Sequence, residues 1–233
     1  MTNTLLMGAL AASLALPLAL PLAAGAQDLG DKPASIVLPG VSFTRSLNNA
    51  AENTRVEGGK LTVRSDAKRD AFRDPDGKVA VANAPVLLTA VDNGKPFTLT
   101  ARVTPTLLET YDAGALYVWA RDDLWLKMAL EQDERKNARM VTVRTVGTSD
   151  DNNHDVVTAR TVHMKISSDT VSVGFYYSLD GETWRLIRVF KNDYPARLWL
   201  GVSAQSPLGA GTSATFEGLS LTQTSVKDFR LGK

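Results

Sequence analysis

The sequence predicts an all-β protein whose strands form a two-sheet antiparallel sandwich. From Ile36 onward, apolar residues recur at every second position in short runs, which is the period of a β-strand. Gly, Pro, Asn or Asp closes each run, and no helical pattern separates the runs. Short strands at regular spacing are typical of a sandwich or barrel, and we expect a single sandwich domain over residues 36–222.

Residues 1–26 have the features of a signal peptide. They contain no charged side chain, and the apolar run at residues 5–24 is followed by a small-residue triplet ending at Ala26. Signal peptidase cleaves after such triplets, so we expect cleavage between Ala26 and Gln27. The competing interpretation is a membrane anchor, which two prolines within the apolar run disfavour. We therefore expect a secreted or periplasmic protein with no membrane span after cleavage.

The strands follow a polar lead-in at residues 27–35 and precede a polar C-terminal tail at residues 223–233. Two tight connections are visible, at Ser167–Thr170 in the middle of the chain and at the Asp180-Gly181 pair, which favours a hairpin turn. The predicted strands lie at residues 61–63, 97–103, 116–119, 124–131, 140–146, 162–166, 171–178, 184–190 and 198–204.

The run at residues 124–131 fits both a strand and a helix. Its Leu, Met, Ala and Glu residues favour helix. A strand, however, places the Leu and Met residues on one face and Trp125, Lys127 and Glu131 on the other, whereas a helix would scatter both sets. We therefore predict a strand here, and helical turns only at residues 47–55 and 107–110.

Charge and cysteine content exclude several classes of function. The chain has 26 Lys and Arg against 25 Asp and Glu, with no basic block, so nucleic acid and anionic membranes are not expected partners. It contains no cysteine, which excludes disulfides, thiolate metal sites and a cysteine nucleophile.

Several short motifs, taken together in order and spacing, resemble a known family. They are Asp70-Ala-Phe-Arg-Asp-Pro-Asp-Gly77, Asn83-Ala-Pro-Val-Leu-Leu88, Tyr111-Asp-Ala-Gly-Ala-Leu116, Trp125-Leu-Lys127, Tyr177-Ser-Leu-Asp-Gly-Glu-Thr-Trp184 and Ser206-Pro-Leu-Gly-Ala-Gly211. The sequence resembles the family numbered 1349 among domains of unknown function, also called regulation-of-enolase-protein-1-like. The resemblance implies a concanavalin A-like jelly roll with one concave sheet, a fold shared by lectins and glucanases, and no defined activity.

The most informative side chains lie on the predicted outward face of the central strands. Aromatic rings bury the apolar faces of sugars, while Lys, Glu and Gln bond to sugar hydroxyls, so this mixture suits a glycan or polysaccharide ligand. The alternative is that the same tryptophans pack in the core or under a loop. The predicted ligand-binding residues are Tyr117, Trp119, Trp125, Lys127, Glu131, Trp199 and Gln205.

Two other functions remain open from the sequence. A glycoside hydrolase or lyase would use Glu131 as its catalytic carboxylate, although Glu134 has the wrong strand parity to be its partner. A protein-interaction module would use the same face for a protein partner. We favour a noncatalytic carbohydrate-binding domain.

No cofactor is predicted. His154 and His163 are too few for a histidine-rich metal site. Residues 74–77 and 150–155 offer oxygen ligands of the kind that calcium prefers, but turn chemistry accounts for both segments because Asp, Asn and Gly are the usual turn residues.

Overall fold

A computed structural model describes Met1 and residues 30–233 of the chain. Apart from Met1, the predicted signal peptide and its cleavage point lie outside the described residues. Within residues 30–233, no helix has the length and hydropathy of a membrane span.

The described chain is built from β-strands. In chain order they are β1 (Asp31–Leu38), β2 (Val41–Leu47), β3 (Thr54–Glu57), β4 (Lys60–Asp66), β5 (Ala71–Arg73), β6 (Ala80–Ala82), β7 (Val86–Asp92), β8 (Phe97–Pro105), β9 (Ala113–Arg121), β10 (Leu124–Gln132), β11 (Ala138–Val146), β12 (Thr148–Val156), β13 (Val162–Ser168), β14 (Ser172–Ser178), β15 (Arg185–Lys191), β16 (Arg197–Gln205) and β17 (Gly211–Thr222).

Two large sheets form the sandwich, and the predicted fold class is confirmed. The eight-stranded sheet has the order β1-β2-β7-β16-β9-β10-β11-β12, and the seven-stranded sheet has the order β15-β14-β13-β8-β17-β4-β3. The strand pairs within them are antiparallel. The short pair β5-β6 forms a separate hairpin within the connection between β4 and β7. We call this connection, residues 67–85, the arm.

The main core lies between the two large sheets. Leu116 and Leu126 from the eight-stranded sheet belong to the same buried cluster as Leu99 and Phe216 from the seven-stranded sheet. Full burial of a side chain of this size contributes roughly 1.5–3 kcal/mol to the free energy of folding. Burial of the alternating apolar positions therefore stabilises the packing of one sheet against the other.

Three segments predicted as turns or helix have another structure. Residues 47–55 and 107–110 contain turns and strand ends but no helix. Residues 150–155 belong to β12, which pairs only with β11 at the edge of its sheet. Charged and amide side chains are common on edge strands because they discourage pairing with another chain, which explains Asp and Asn in a strand.

The segments expected to flank the sandwich also take part in it. β1 begins at Asp31, inside the expected lead-in. The C-terminal residues fold back onto the outer face of the seven-stranded sheet, where the Tyr176 hydroxyl donates to the carbonyl of Phe229 at 2.7 Å. Lys165 Nζ donates to the carbonyl of Gly232, also at 2.7 Å. The polar tail is thus a packed segment.

Candidate functional site

Three tryptophans form one row on the outer face of the eight-stranded sheet, the face directed away from the seven-stranded sheet. Trp119 on β9 is the register partner of both Trp199 on β16 and Trp125 on β10. The alternation that the sequence shows therefore does bring these side chains together.

The predicted exposure is wrong for two of the three tryptophans in this row. Trp119 is 3% exposed and Trp125 is 2% exposed. Their rings lie nearly parallel, with centroids 6.2 Å apart. They belong to a second buried apolar cluster to which the arm contributes Ala71 and Ala84, so the arm covers them. For these side chains the packing alternative holds.

Trp199, at the other end of the row, is only partly buried. The guanidinium carbon of Arg45 lies 4.9 Å from its ring centroid and that of Arg197 lies 5.4 Å away. These distances are typical of cation–π contacts. The ring of Trp199 is therefore engaged with two arginines.

Three polar residues on the same face form a buried hydrogen-bonded chain. Lys127 is the register partner of Tyr117. Gln205 joins the two, because its amide nitrogen donates to the Tyr117 hydroxyl at 2.6 Å and its carbonyl oxygen accepts from Lys127 Nζ at 3.1 Å. Tyr117 is fully buried and Gln205 is 1% exposed, so neither side chain presents the free surface that was predicted.

The arm completes this network. Lys127 Nζ also donates to the carbonyl of Ala71 at 3.2 Å and lies 3.6 Å from a carboxylate oxygen of Asp70. Sequence reasoning missed Asp70 as a site residue, although it begins one of the family motifs, because nothing in the local pattern shows that the arm folds over β10.

The arm does not cover the whole face, and a pocket of about 330 Å³ remains between it and strands β10 to β12. Phe72 and Val79 from the arm face Val141 and Val143 from β11 across it. Its polar lining consists of Asp70, Asp74, Tyr111, Lys127, Glu131, Glu134, Asp151 and Asn153. A pocket with apolar walls and a few convergent polar groups is the usual form of a small-ligand site.

Glu131 is the one predicted residue that lines this pocket without being committed to a contact. It is partly buried, and among the described residues its carboxyl group has no hydrogen-bond or ion-pair partner. Burial raises its pKa to about 8, because the opposing effect of Lys127 is countered by the carboxylates of Asp70, Asp151 and Glu134. The carboxyl group is therefore largely protonated at neutral pH.

The neighbouring ionisable groups respond to the same environment. Burial alone would lower the pKa of Lys127, but the Asp70 carboxylate and the other nearby acids raise it overall, so the lysine is charged. Desolvation also raises the pKa of Asp151. Desolvation and a hydrogen bond to Glu134, at 3.0 Å, raise the pKa of Tyr111 to about 12, so its hydroxyl stays protonated.

The carboxylate that follows Glu131 on the chain has a structural role. Asp133 is 2% exposed and accepts hydrogen bonds from the backbone of Arg135 at 2.9 Å, from the backbone of Asn137 at 2.8 Å and from Arg139 Nε at 3.0 Å. These bonds outweigh the effect of its burial and lower its pKa to about 2. Asp133 therefore holds the β10–β11 turn and is not free to act on a ligand.

The segments considered for calcium are turn and strand in this structure. Asp74 Oδ1 accepts from the backbone of Asp76 at 3.3 Å within the arm's turn. Across residues 30–233, no group of three or more His, Asp or Glu is arranged to hold a metal ion. His154 is occupied by a hydrogen bond of 2.8 Å between its Nε2 and the Thr142 hydroxyl.

Comparison with known proteins places the chain in a family and its fold among sandwich structures. The family described as Protein of unknown function (DUF1349) matches residues 47–224. A functionally unknown protein from Saccharomyces cerevisiae has a similar structure, with 26% identity, a TM-score of 0.70, and coverage of 78% of this chain and 96% of that one. No curated protein matches the sequence.

Parts of larger proteins share the fold. A GH43 protein from Bacillus licheniformis is 13% identical with a TM-score of 0.62, and the match covers 84% of this chain but 38% of that one. A xylan β-1,4-xylosidase from Bacillus halodurans is 11% identical with a TM-score of 0.55, over 79% of this chain and 41% of that one. The chain thus spans less than half the length of either protein, and these likenesses show the fold alone.

Proposed function

This chain belongs to the family described as Protein of unknown function (DUF1349), and we propose that it is a noncatalytic carbohydrate-binding domain whose site is the pocket between the arm and strands β10 to β12. The tryptophan row supports the pocket from beneath the arm and is not itself the contact surface. The same fold occurs in parts of a GH43 protein and of a xylan β-1,4-xylosidase, which fits a sugar ligand.

The observation that carries the proposal is the carboxyl group of Glu131, which lines the pocket and has no hydrogen-bond or ion-pair partner among the described residues. This carboxyl group is only partly buried and lines the pocket, so a ligand can hydrogen-bond to it directly, with a net gain of about 0.5–1.5 kcal/mol. Sugar hydroxyls are such donors and acceptors. The apolar walls formed by Phe72, Val79 and Val141 suit the C–H faces of a sugar ring.

The experiment is a panel of oligosaccharides and polysaccharides tested against the purified protein. Glu131→Ala removes the free carboxyl group, and we expect about tenfold weaker binding of the recognised glycan, which corresponds to about 1.4 kcal/mol. Glu182→Ala is the matched control, because Glu182 is exposed in the β14–β15 hairpin of the opposite sheet. Equal loss of binding in both variants, or none in either, contradicts the assignment of the site.

A glycoside hydrolase is the second candidate, and the protonation of Glu131 favours it. A carboxyl group with a pKa near 8 stays protonated at neutral pH, as a general acid must. Release of reducing ends, measured in the same wells, distinguishes the two functions. Glu131→Gln keeps a neutral hydrogen-bonding group, so it abolishes turnover but spares binding if the protein is a hydrolase.

We also propose that the protein is exported, on the basis of its first 26 residues. Fractionation of expressing cells tests this, since export predicts a shortened chain in the periplasm or medium. A full-length chain that stays in the cytoplasm contradicts it. If neither binding nor release is seen with any glycan, a protein partner becomes the better hypothesis for the same pocket.

A further inference from the structure

We infer that the pocket prefers sugars that carry a free amino group, bound as the ammonium ion, and that it rejects sugars with carboxylate or sulfate groups. This inference rests on the proposed carbohydrate function and adds the chemical class of the ligand. It follows from the charges that line the pocket and from which of them are already paired.

The lining has a strong excess of acids. It contains five carboxyl groups, Asp70, Asp74, Glu131, Glu134 and Asp151, against one cationic side chain, Lys127. Glu131 is neutral while it is protonated, and the negative potentials of the other four add in a cleft with low-dielectric walls, so the pocket attracts cations and repels anions. The other lysines and arginines of the described chain do not line it.

The single cation is not available to an anionic ligand. Lys127 is 3% exposed, and its ammonium group is already engaged by the carbonyl of Ala71, the side chain of Gln205 and the carboxylate of Asp70. A uronate or sulfate group would therefore enter among carboxylates with no free positive charge to meet it. Such an unpaired buried charge is strongly unfavourable.

The acids differ in how far they are satisfied. Asp70 is paired with Lys127, and Glu134 accepts from the Tyr111 hydroxyl. Glu131 has no hydrogen-bond or ion-pair partner among the described residues. Asp151 makes no ion pair there, and its only hydrogen bond is to the adjacent backbone of Asn152. Asp74 likewise makes no ion pair there and accepts from the backbone of Asp76 at 3.3 Å, so the pocket presents three carboxyl groups that can receive an ammonium ion.

Binding of the ammonium ion is coupled to the release of a proton from Glu131. Glu131 is held protonated by its burial and by the negative charges of Asp70, Asp151 and Glu134, while Lys127 acts in the opposite direction and Tyr111 stays neutral. A cation beside Glu131 favours its ionised form. The bound amino sugar therefore releases a proton from Glu131, whereas a neutral sugar does not.

The test compares four soluble oligosaccharides of equal length: a glucosamine oligomer, its N-acetylated counterpart, a neutral glucose oligomer and a glucuronate oligomer. We expect the glucosamine oligomer to bind about tenfold tighter than the N-acetylated one, which corresponds to about 1.4 kcal/mol, and the glucuronate oligomer not to bind. The preference should shrink as salt is added, because the charges are partly screened. Titration calorimetry in buffers of different ionisation enthalpy, at a pH where the amino group of the free sugar is already protonated, should show proton release for the amino sugar alone.

Two variants make the inference falsifiable. Glu131→Gln should keep the affinity for the neutral oligomer but lose the proton release and most of the amino preference. Asp151→Asn should reduce the amino preference, and Glu182→Gln, in the opposite sheet, should leave it unchanged. Binding of glucuronate as tight as that of glucosamine, or an amino preference that both pocket variants retain, overturns the inference while leaving the carbohydrate function intact. Failure of all four sugars to bind overturns both.

Discussion

Lys127 connects three elements on the outer face of the eight-stranded sheet. It joins β10 to the arm through Ala71 and Asp70, and to β16 through Gln205. A buried charge persists only when paired and hydrogen-bonded, and here the partners come from two segments, the arm and β16, that are far from Lys127 in the chain. The position of the arm, and hence the shape of the pocket, depends on these bonds.

Glu131 should make the stability of the protein depend on pH. Its pKa is about 8 in the folded protein and about 4.3 in an unfolded chain. The folded state therefore binds more protons between these values, and stability falls as pH rises through that range. Urea unfolding at about pH 5 and about pH 9 should show Glu131→Gln gaining roughly 1–3 kcal/mol relative to the wild type only at the higher pH.

The control for that prediction is Glu182→Gln, whose side chain is exposed. It should leave the pH profile of the free energy of unfolding unchanged. A Glu131→Gln profile parallel to that of the wild type would show that Glu131 is ionised in the folded protein and would remove the reason for its role in the pocket.

At the level of single residues, only part of the candidate site could be predicted from the sequence. Alternation placed Trp119, Trp125 and Lys127 on one face correctly, since register follows from a period of two. Their burial could not be predicted, because it depends on Ala71 and Asp70 of the arm, more than 40 residues earlier in the chain. Glu131 is the predicted residue that the arm leaves accessible, because it lines the pocket.

At the scale of the elements, the predicted runs correspond to nine of the seventeen strands in residues 30–233, namely β4, β8 to β11 and β13 to β16. The run at residues 124–131 forms β10 and not a helix, as expected from its segregated faces. β12 was missed because its Asp and Asn residues are typical of turns, and its strand conformation comes from pairing with β11. Such tertiary override of local propensity is most common at sheet edges, where one side of a strand faces solvent.

Gly201 provides a test of the packing of the central strands. It lies on β16 between β7 and β9, and an added Cβ would come within 2.6 Å of Leu88 Cδ2 and 2.7 Å of the carbonyl oxygen of Leu87. Gly201→Ala should therefore destabilise the protein by about 1–3 kcal/mol, because the backbone of β7 must move. Thermal and urea unfolding measure this directly.

Gly94→Ala is the matched control for Gly201→Ala. Its nearest neighbour is the flexible carboxylate of Asp92 at 3.1 Å. We expect a change of no more than about 0.5 kcal/mol. Equal effects of the two substitutions would contradict the close approach of β16 and β7.

At the scale of the whole molecule, the eight-stranded sheet is buried on both faces over its centre. One face packs against the seven-stranded sheet, and the other packs under the arm around Trp119 and Trp125. The arm reaches β12, where the backbone nitrogen of Arg73 donates to the Ser149 hydroxyl at 2.9 Å, and the pocket lies between the arm and strands β10 to β12. The outer face of the eight-stranded sheet therefore forms the floor of the pocket, the arm forms one wall, and most of the charged groups in the lining are acidic.

The most direct test of the account is a calorimetric titration of the purified protein with the glycan that scores best in the panel, for the wild type, Glu131→Ala and Glu182→Ala. The account predicts one binding site per chain, binding about tenfold weaker in Glu131→Ala, and unchanged binding in Glu182→Ala. Undiminished binding by a correctly folded Glu131→Ala protein would contradict it and would place the ligand elsewhere on the sandwich.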